Sequence, residues 1–131
     1  MGNSICLDSD FLIDLLRNKQ EAVNWIKEHE RRDILATTIV NIFELYAGAY
    51  KTNESDKKVL AIKELSERLK ILSFKIKCAE EAGRQNALLE KEGNAIEKRD
   101  LFIGTIAFTE GFALKTNNKR HFERIKGLQI I

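Results

Sequence analysis

Short apolar runs and amphipathic stretches alternate along this chain. Residues 4–7 are apolar and end at Asp8-Ser9-Asp10, the pattern of a central parallel strand buried on both faces. A helix follows with Phe11, Leu12, Leu15 and Leu16 on its apolar side, and Ser9 is read as its N-cap with Asp10 favoured in the first turn. Residues 21–32 predict a second, charged helix contributing Val23, Trp25 and Ile26. Residues 33–36 predict a second strand, and Thr37 or Thr38 caps a helix whose apolar face runs Ile39, Phe43, Tyr46, Tyr50. A long amphipathic helix over 53–69 carries Val59, Ile62, Leu65 and Leu69 on one side. A strand at 71–74 and a helix at 75–92, stopped near Gly93, come next. Residues 101–108 are apolar almost all round, which predicts a central helix, ended by Gly111. Strands at 112–114 and, at the edge, 128–131 complete the order, with a polar loop at 116–118 and a short turn around His121 and Phe122 between them.

Strands alternating with helices predict a layered α/β fold with a short, mostly parallel sheet. No repeat, linker or low-complexity segment divides the chain, so residues 1–131 are read as one domain. In such sheets ligands sit outside the carboxyl ends of the strands. Asp8 falls at the carboxyl end of the first strand and the 116–118 loop at that of the fourth. Glu44 and Asp100 lie near helix starts, on the same edge. Each acid stands in an apolar stretch, where a charge is costly to bury unless it is paired or binds a metal.

Three carboxylates brought together without a counter-ion would repel one another, and a Mg²⁺ or Mn²⁺ ion removes the conflict. Such an ion activates water and stabilises charge on a phosphodiester. Taken singly, Asp8 also reads as a helix N-terminal acid, Glu44 as a half-exposed surface residue and Asp100 as an N-cap. Their agreement on one edge of one fold favours a shared site. Asp10 and Asp14 read as structural or solvated. Lys98 and Arg99 read as surface charges, with contact to phosphate as the alternative.

The net charge is only +2, which excludes a strong polycation. From Lys115 onward, however, five basic residues (Lys115, Lys119, Arg120, Arg124, Lys126) face one acid, Glu123, so this tail is a candidate contact for phosphate backbones. With 44% hydrophobic and 32% charged residues the composition is that of a soluble globular protein. Cys6 and Cys78 set neither a disulfide framework nor a metal-binding spacing, and read as buried thiols in a reducing cytoplasm. No apolar run approaches a membrane span, and no signal peptide is read at the N-terminus.

The segment Ile5-Cys-Leu-Asp8-Ser-Asp-Phe-Leu-Ile-Asp-Leu-Leu16 resembles the opening strand and helix of PIN domains, the PilT N-terminus nucleases. Thr38-x5-Glu44-Leu-x2-Gly48 resembles their second motif, Arg99-Asp100-Leu-Phe-Ile-Gly-Thr-Ile-Ala107 the third, and Leu114-Lys-Thr-Asn-Asn-Lys-Arg-His-Phe122 the fourth. Each motif is weak alone; four in order across a 131-residue chain are specific. Size and layout are most similar to the VapC toxin branch. The resemblance implies a three-layer α/β/α PIN-like fold and a Mg²⁺- or Mn²⁺-dependent endoribonuclease acting on tRNA or rRNA. It further implies a cognate VapB-type antitoxin and a homodimer. By matching position, Asp8 and Asp100 are the implied direct metal ligands, Glu44 holds a metal-bound water or a second ion, and Ser9 and Thr116 are hydroxyls near the site. Where the family's fourth motif often carries an acid two residues after its Thr, this chain has Asn118, which adds no charge and weakens the case for a second metal. His121 reads as structural, with a proton-donor role as the alternative. Competing readings are a PIN nuclease of RNA maturation or structured DNA, and a non-catalytic binding module.

Overall fold

The computed structural model describes residues 2–131. In chain order the elements are β1 (Ser4–Leu7), α1 (Ser9–Leu16), α2 (Gln20–His29), β2 (Ile34–Thr38), α3 (Ile39–Tyr50) and α4 (Ser55–Glu67). Then come β3 (Lys70–Leu72), α5 (Ile76–Lys91), α6 (Lys98–Thr109), β4 (Ala113–Lys115) and α7 (Lys119–Phe122). All four strands are parallel, in the order β3-β2-β1-β4. The layered α/β fold with a parallel sheet expected from the alternation is present, and so is the three-layer α/β/α arrangement that the resemblance implies.

Side chains alternate across a strand, and β1 shows it. Ile5 and Leu7 pack with Phe11, Leu12, Ile26, Leu45 and Ile62, from α1 to α4. Cys6 points the other way, into a second core with Leu101, Ile103, Ile106 and Phe122. Burial on both faces is why this strand reads as an unbroken apolar run. Helix α6 is buried along most of its length, as its all-round apolar sequence predicts. Both cysteines are buried and free, and desolvation pushes the Cys6 thiol well above its ordinary range.

Four expectations need correction. Asp8, not Ser9, caps α1, its carboxylate accepting from the Ser9 N–H. The third strand lies one residue earlier than predicted and is shorter, and the fourth ends at Lys115. The expected edge strand at 128–131 is a single parallel bridge between Leu114 and Ile130. Finally, the Ile39, Phe43, Tyr50 face of α3 points outward, with Phe43 at 69% exposure, while Asn41, Leu45 and Ala49 face in. The helix is apolar on two sides, and periodicity picked the bulkier one.

Gly104 marks the closest approach in the second core. A Cβ there would stand 2.1 Å from Ile125 Cδ1, with Leu128 and Phe122 side chains just beyond. Both Ile125 and Phe122 are buried, so neither has room to yield. Gly104→Val is expected to destabilise the fold by about 2 kcal/mol through overpacking, read as a lowered thermal midpoint; an unchanged midpoint would show that the C-terminal segment repacks freely.

Candidate active site

The topology fixes where the site lies. The chain runs outward from β1 through β2 to β3, then returns to β4 on the other side of β1. The order reverses between β1 and β4, and a crevice opens there at the strands' carboxyl ends. Asp8 directly follows β1 and Thr116 directly follows β4. The two strand ends are tied by a backbone hydrogen bond from Asp8 N–H to the Lys115 carbonyl, 3.0 Å.

Asp8 is completely buried and fully engaged. Its Oδ1 accepts from the Ser9 N–H (2.8 Å), from Asn41 Nδ2 (3.0 Å) and from Arg99 Nη2 (3.3 Å). Its Oδ2 accepts from the Thr116 hydroxyl at 2.7 Å. The positive end of the α1 dipole adds to this stabilisation. Glu44 stands one and a half turns into α3 and reaches the same place; its Oε1 accepts from the Ser9 hydroxyl at 2.7 Å. Asp100 lies in the first turn of α6, buried, with its Oδ2 3.2 Å from His121 Nδ1.

The three acids meet through one side chain. Arg99 contacts Asp8 through Nη2, Glu44 through Nε and Asp100 through Nη1. Burial alone would disfavour its charge, but Glu44, Asp8 and Asp100 together outweigh that and hold the guanidinium above its ordinary range. The expectation of a surface charge is thus overturned: its side chain is 32% exposed and lies among the acids. Among the described residues no three acid, His or Cys side chains stand close enough to chelate an ion directly, since the guanidinium lies between the carboxylates. The donor set nonetheless suits a hard divalent cation: three carboxylates from three elements, already facing one positive charge.

Asn41 was not anticipated from sequence. It is wholly buried, shares a reciprocal capping box with Thr38, and donates to both Asp8 and, at 2.8 Å, Ser9 Oγ. The signals were present: an Asn three residues after a capping Thr, and one turn before Glu44 on the same helix. Asp10 serves the loop instead of the acid cluster. Its carboxylate accepts from the Asn117 N–H (2.9 Å), and burial, reinforced by the charge of Asp8, pushes its pKa up against its two backbone donors. Asp14 pairs with Lys19, away from the site.

Asn118 is exposed at the rim; its N–H donates to the Thr116 hydroxyl at 3.0 Å, and its side chain joins none of the network's hydrogen bonds among the described residues. The basic tail is largely committed elsewhere. Lys115 lies over the rings of Phe11 and Trp25, Arg124 donates to the Ala95 carbonyl and Lys126 pairs with Glu92. Lys119 and Arg120, on α7, remain exposed beside the site.

The PIN domain family model matches residues 5–128. Ribonuclease VapC2 of Haemophilus influenzae is 34% identical over 95 residues, 72% of each chain. The tRNA(fMet)-specific endonuclease VapC of Salmonella typhimurium is 27% identical over 128 residues, covering 95% of this chain and 93% of its own. Among solved structures, VapBC2 from Rickettsia felis bound to a promoter DNA fragment superposes with a TM-score of 0.90 at 24% identity, covering 98% of this chain and 97% of that one. VapBC-1 from nontypeable Haemophilus influenzae gives 0.87 at 26%, covering 98% and 96%.

Proposed function

The chain belongs to the PIN-domain family, in its VapC ribonuclease branch, and from that premise we propose that it is the endoribonuclease toxin of a VapB–VapC pair, dependent on Mg²⁺ or Mn²⁺. The observation that carries the reading is the convergence of Asp8 after β1, Glu44 of α3 and Asp100 of α6 on one positive charge, the Arg99 guanidinium, at the sheet's switch point.

Asp8 and Asp100, the two buried acids, are the residues that would hold the ion, with Glu44 beside them. A bound divalent ion supplies an activated water and neutralises charge on the phosphate. The rest falls to the chain's own groups. The Ser9 hydroxyl and Thr116 hydroxyl fix one oxygen each of Glu44 and Asp8, so the carboxylates do not turn away from the crevice. Glu44, the most exposed of the three acids at 26%, would orient an incoming water. Lys119 and Arg120 meet the RNA backbone at the rim.

Partners follow from the surface. A structural relative from Mycobacterium tuberculosis is described as a member of the VapBC family of toxin–antitoxin systems. A groove of about 400 Å³ lined by Ile13, Leu16, Leu45, Ala49 and Ile62, with Glu44 and the exposed Arg17, Lys57 and Lys58 also in its lining, fits an apolar antitoxin segment. We assign the exposed Ile39, Phe43 and Tyr50 face of α3 to a second copy of the chain. Among the described residues no helix is long and apolar enough to cross a membrane; a cytoplasmic site of action, with tRNA as the first substrate to test, completes the proposal.

Purified protein incubated with labelled tRNA and Mn²⁺ is expected to give discrete fragments, to stop in EDTA and to resume when Mg²⁺ or Mn²⁺ is restored. Cleavage that continues unchanged in EDTA would remove the metal from the reaction. Sequencing of RNA ends after induced expression identifies the target and the cut position.

A further inference from the structure

We propose that Arg99 is a resident counter-ion that competes with the divalent metal for Asp8 and Asp100, so that the site is held folded without metal and binds it less tightly than its acids alone would. The proposal rests on the metal reading above. Three observations support it. One guanidinium contacts all three carboxylates at once, at Asp8 Oδ1, Glu44 Oε2 and Asp100 Oδ1. Two of those acids, Asp8 and Asp100, have side chains at 0% and 6% exposure, so water does little to screen them if Arg99 is removed. And the Arg99 side chain itself is 32% exposed, so it reaches solvent while the two buried acids do not.

The contacts also show where displacement begins. Asp8 Oδ1 has three donors, and the Arg99 contact at 3.3 Å is longer than those from Ser9 and Asn41, at 2.8 and 3.0 Å. A metal arriving at Oδ1 therefore replaces the weakest partner and leaves the other two in place. Three carboxylates and one guanidinium leave two uncompensated negative charges. One divalent ion neutralises these, provided Arg99 stays near the rim; a second ion would make the cluster positive. The arithmetic favours a single metal, in line with the uncharged Asn118 in the fourth motif.

The test uses Mn²⁺ alone as probe, with calorimetry and thermal unfolding on the whole chain. Relative to wild type, Arg99→Gln is expected to bind Mn²⁺ about tenfold more tightly, since the ion no longer displaces a charge. Its midpoint in EDTA should fall by several degrees, and the rise on adding Mn²⁺ should grow. Arg99→Lys, which keeps the charge but loses the fork, should lie between. If Arg99→Gln does not fold in EDTA, folding rescued by Mn²⁺ supports the proposal, and Arg99→Lys must still bind more tightly than wild type. Equal or weaker Mn²⁺ binding in both variants overturns the competition while leaving the metal site standing. If wild type and both variants all fail to bind Mn²⁺, the metal reading itself falls, and this proposal with it.

Discussion

Replacing Asp8 with Asn is expected to abolish RNA cleavage, on the proposed metal-dependent reading, while the protein stays folded. The substitution keeps the size and one carbonyl oxygen, so the Ser9 N–H retains an acceptor and α1 its cap. What disappears is a buried negative charge at the junction of β1, α1 and the loop after β4. Loss of outer partners of a metal ligand commonly costs 10–100-fold, so loss of a ligand is expected to lower the rate by about a hundredfold or more. Mn²⁺ affinity should fall with it. Asp14→Asn is the matched control, because Asp14 is in the same helix but pairs with Lys19 outside the cluster; it should cleave like wild type. Fragment yield, circular dichroism and Mn²⁺ titration on the same samples separate the outcomes. Undiminished cleavage by a folded Asp8→Asn protein would falsify the ligand assignment.

That Asp8, Glu44 and Asp100 belong together was legible from the chain because each is a charge in an apolar setting, and a parallel sheet has one edge where such charges collect. The strand at 4–7 was equally plain, since burial on both faces leaves an unbroken apolar run. Two features resisted the same logic for different reasons. The outward face of α3 carries larger apolar side chains than its inward face, so hydrophobicity alone pointed the wrong way; only the small residues Asn41 and Ala49, which let α3 approach the sheet, mark the true interior. Arg99 looked like any basic residue at a helix start. Its role depends on three partners 91, 55 and 1 residues away in sequence, and no local pattern encodes such a meeting.

The 128–131 segment fell short of a strand for a related reason. Leu128 and Ile130 are apolar and pack against the second core, which is what the pattern detected. But burying alternate residues does not require a ladder. One bridge to Leu114, with Gln129 accepting from the Leu114 N–H and Ile131 donating to the Leu114 carbonyl, satisfies β4 and stops there.

Asn41→Leu is expected to be the most destabilising single change at the site, although Asn41 carries no charge and Leu is of similar volume. The Asn41 side chain is wholly buried and uses both ends. Its Oδ1 accepts from the Thr38 hydroxyl (2.7 Å) and, more weakly, from the Thr38 N–H (3.3 Å). Its Nδ2 donates to Asp8 Oδ1 and Ser9 Oγ. Leu removes all four contacts and leaves buried groups without partners, a penalty of roughly 1–3 kcal/mol for each group that finds no water. Thr38 keeps one bond of its cap, from the Asn41 backbone N–H, so α3 still starts where it does. The expected loss is about 3 kcal/mol, or roughly 10 °C in Tm for a chain of this size. Asp8 would then rest on Ser9, Thr116 and Arg99 alone, so cleavage should fall even below the melting point. Glu44→Gln, which alters a half-exposed acid in the same helix, should shift Tm much less. Equal shifts for the two variants would mean that water fills the place of the Asn41 amide, and that the rigidity of Asp8 comes from β1 and α1 rather than from α3.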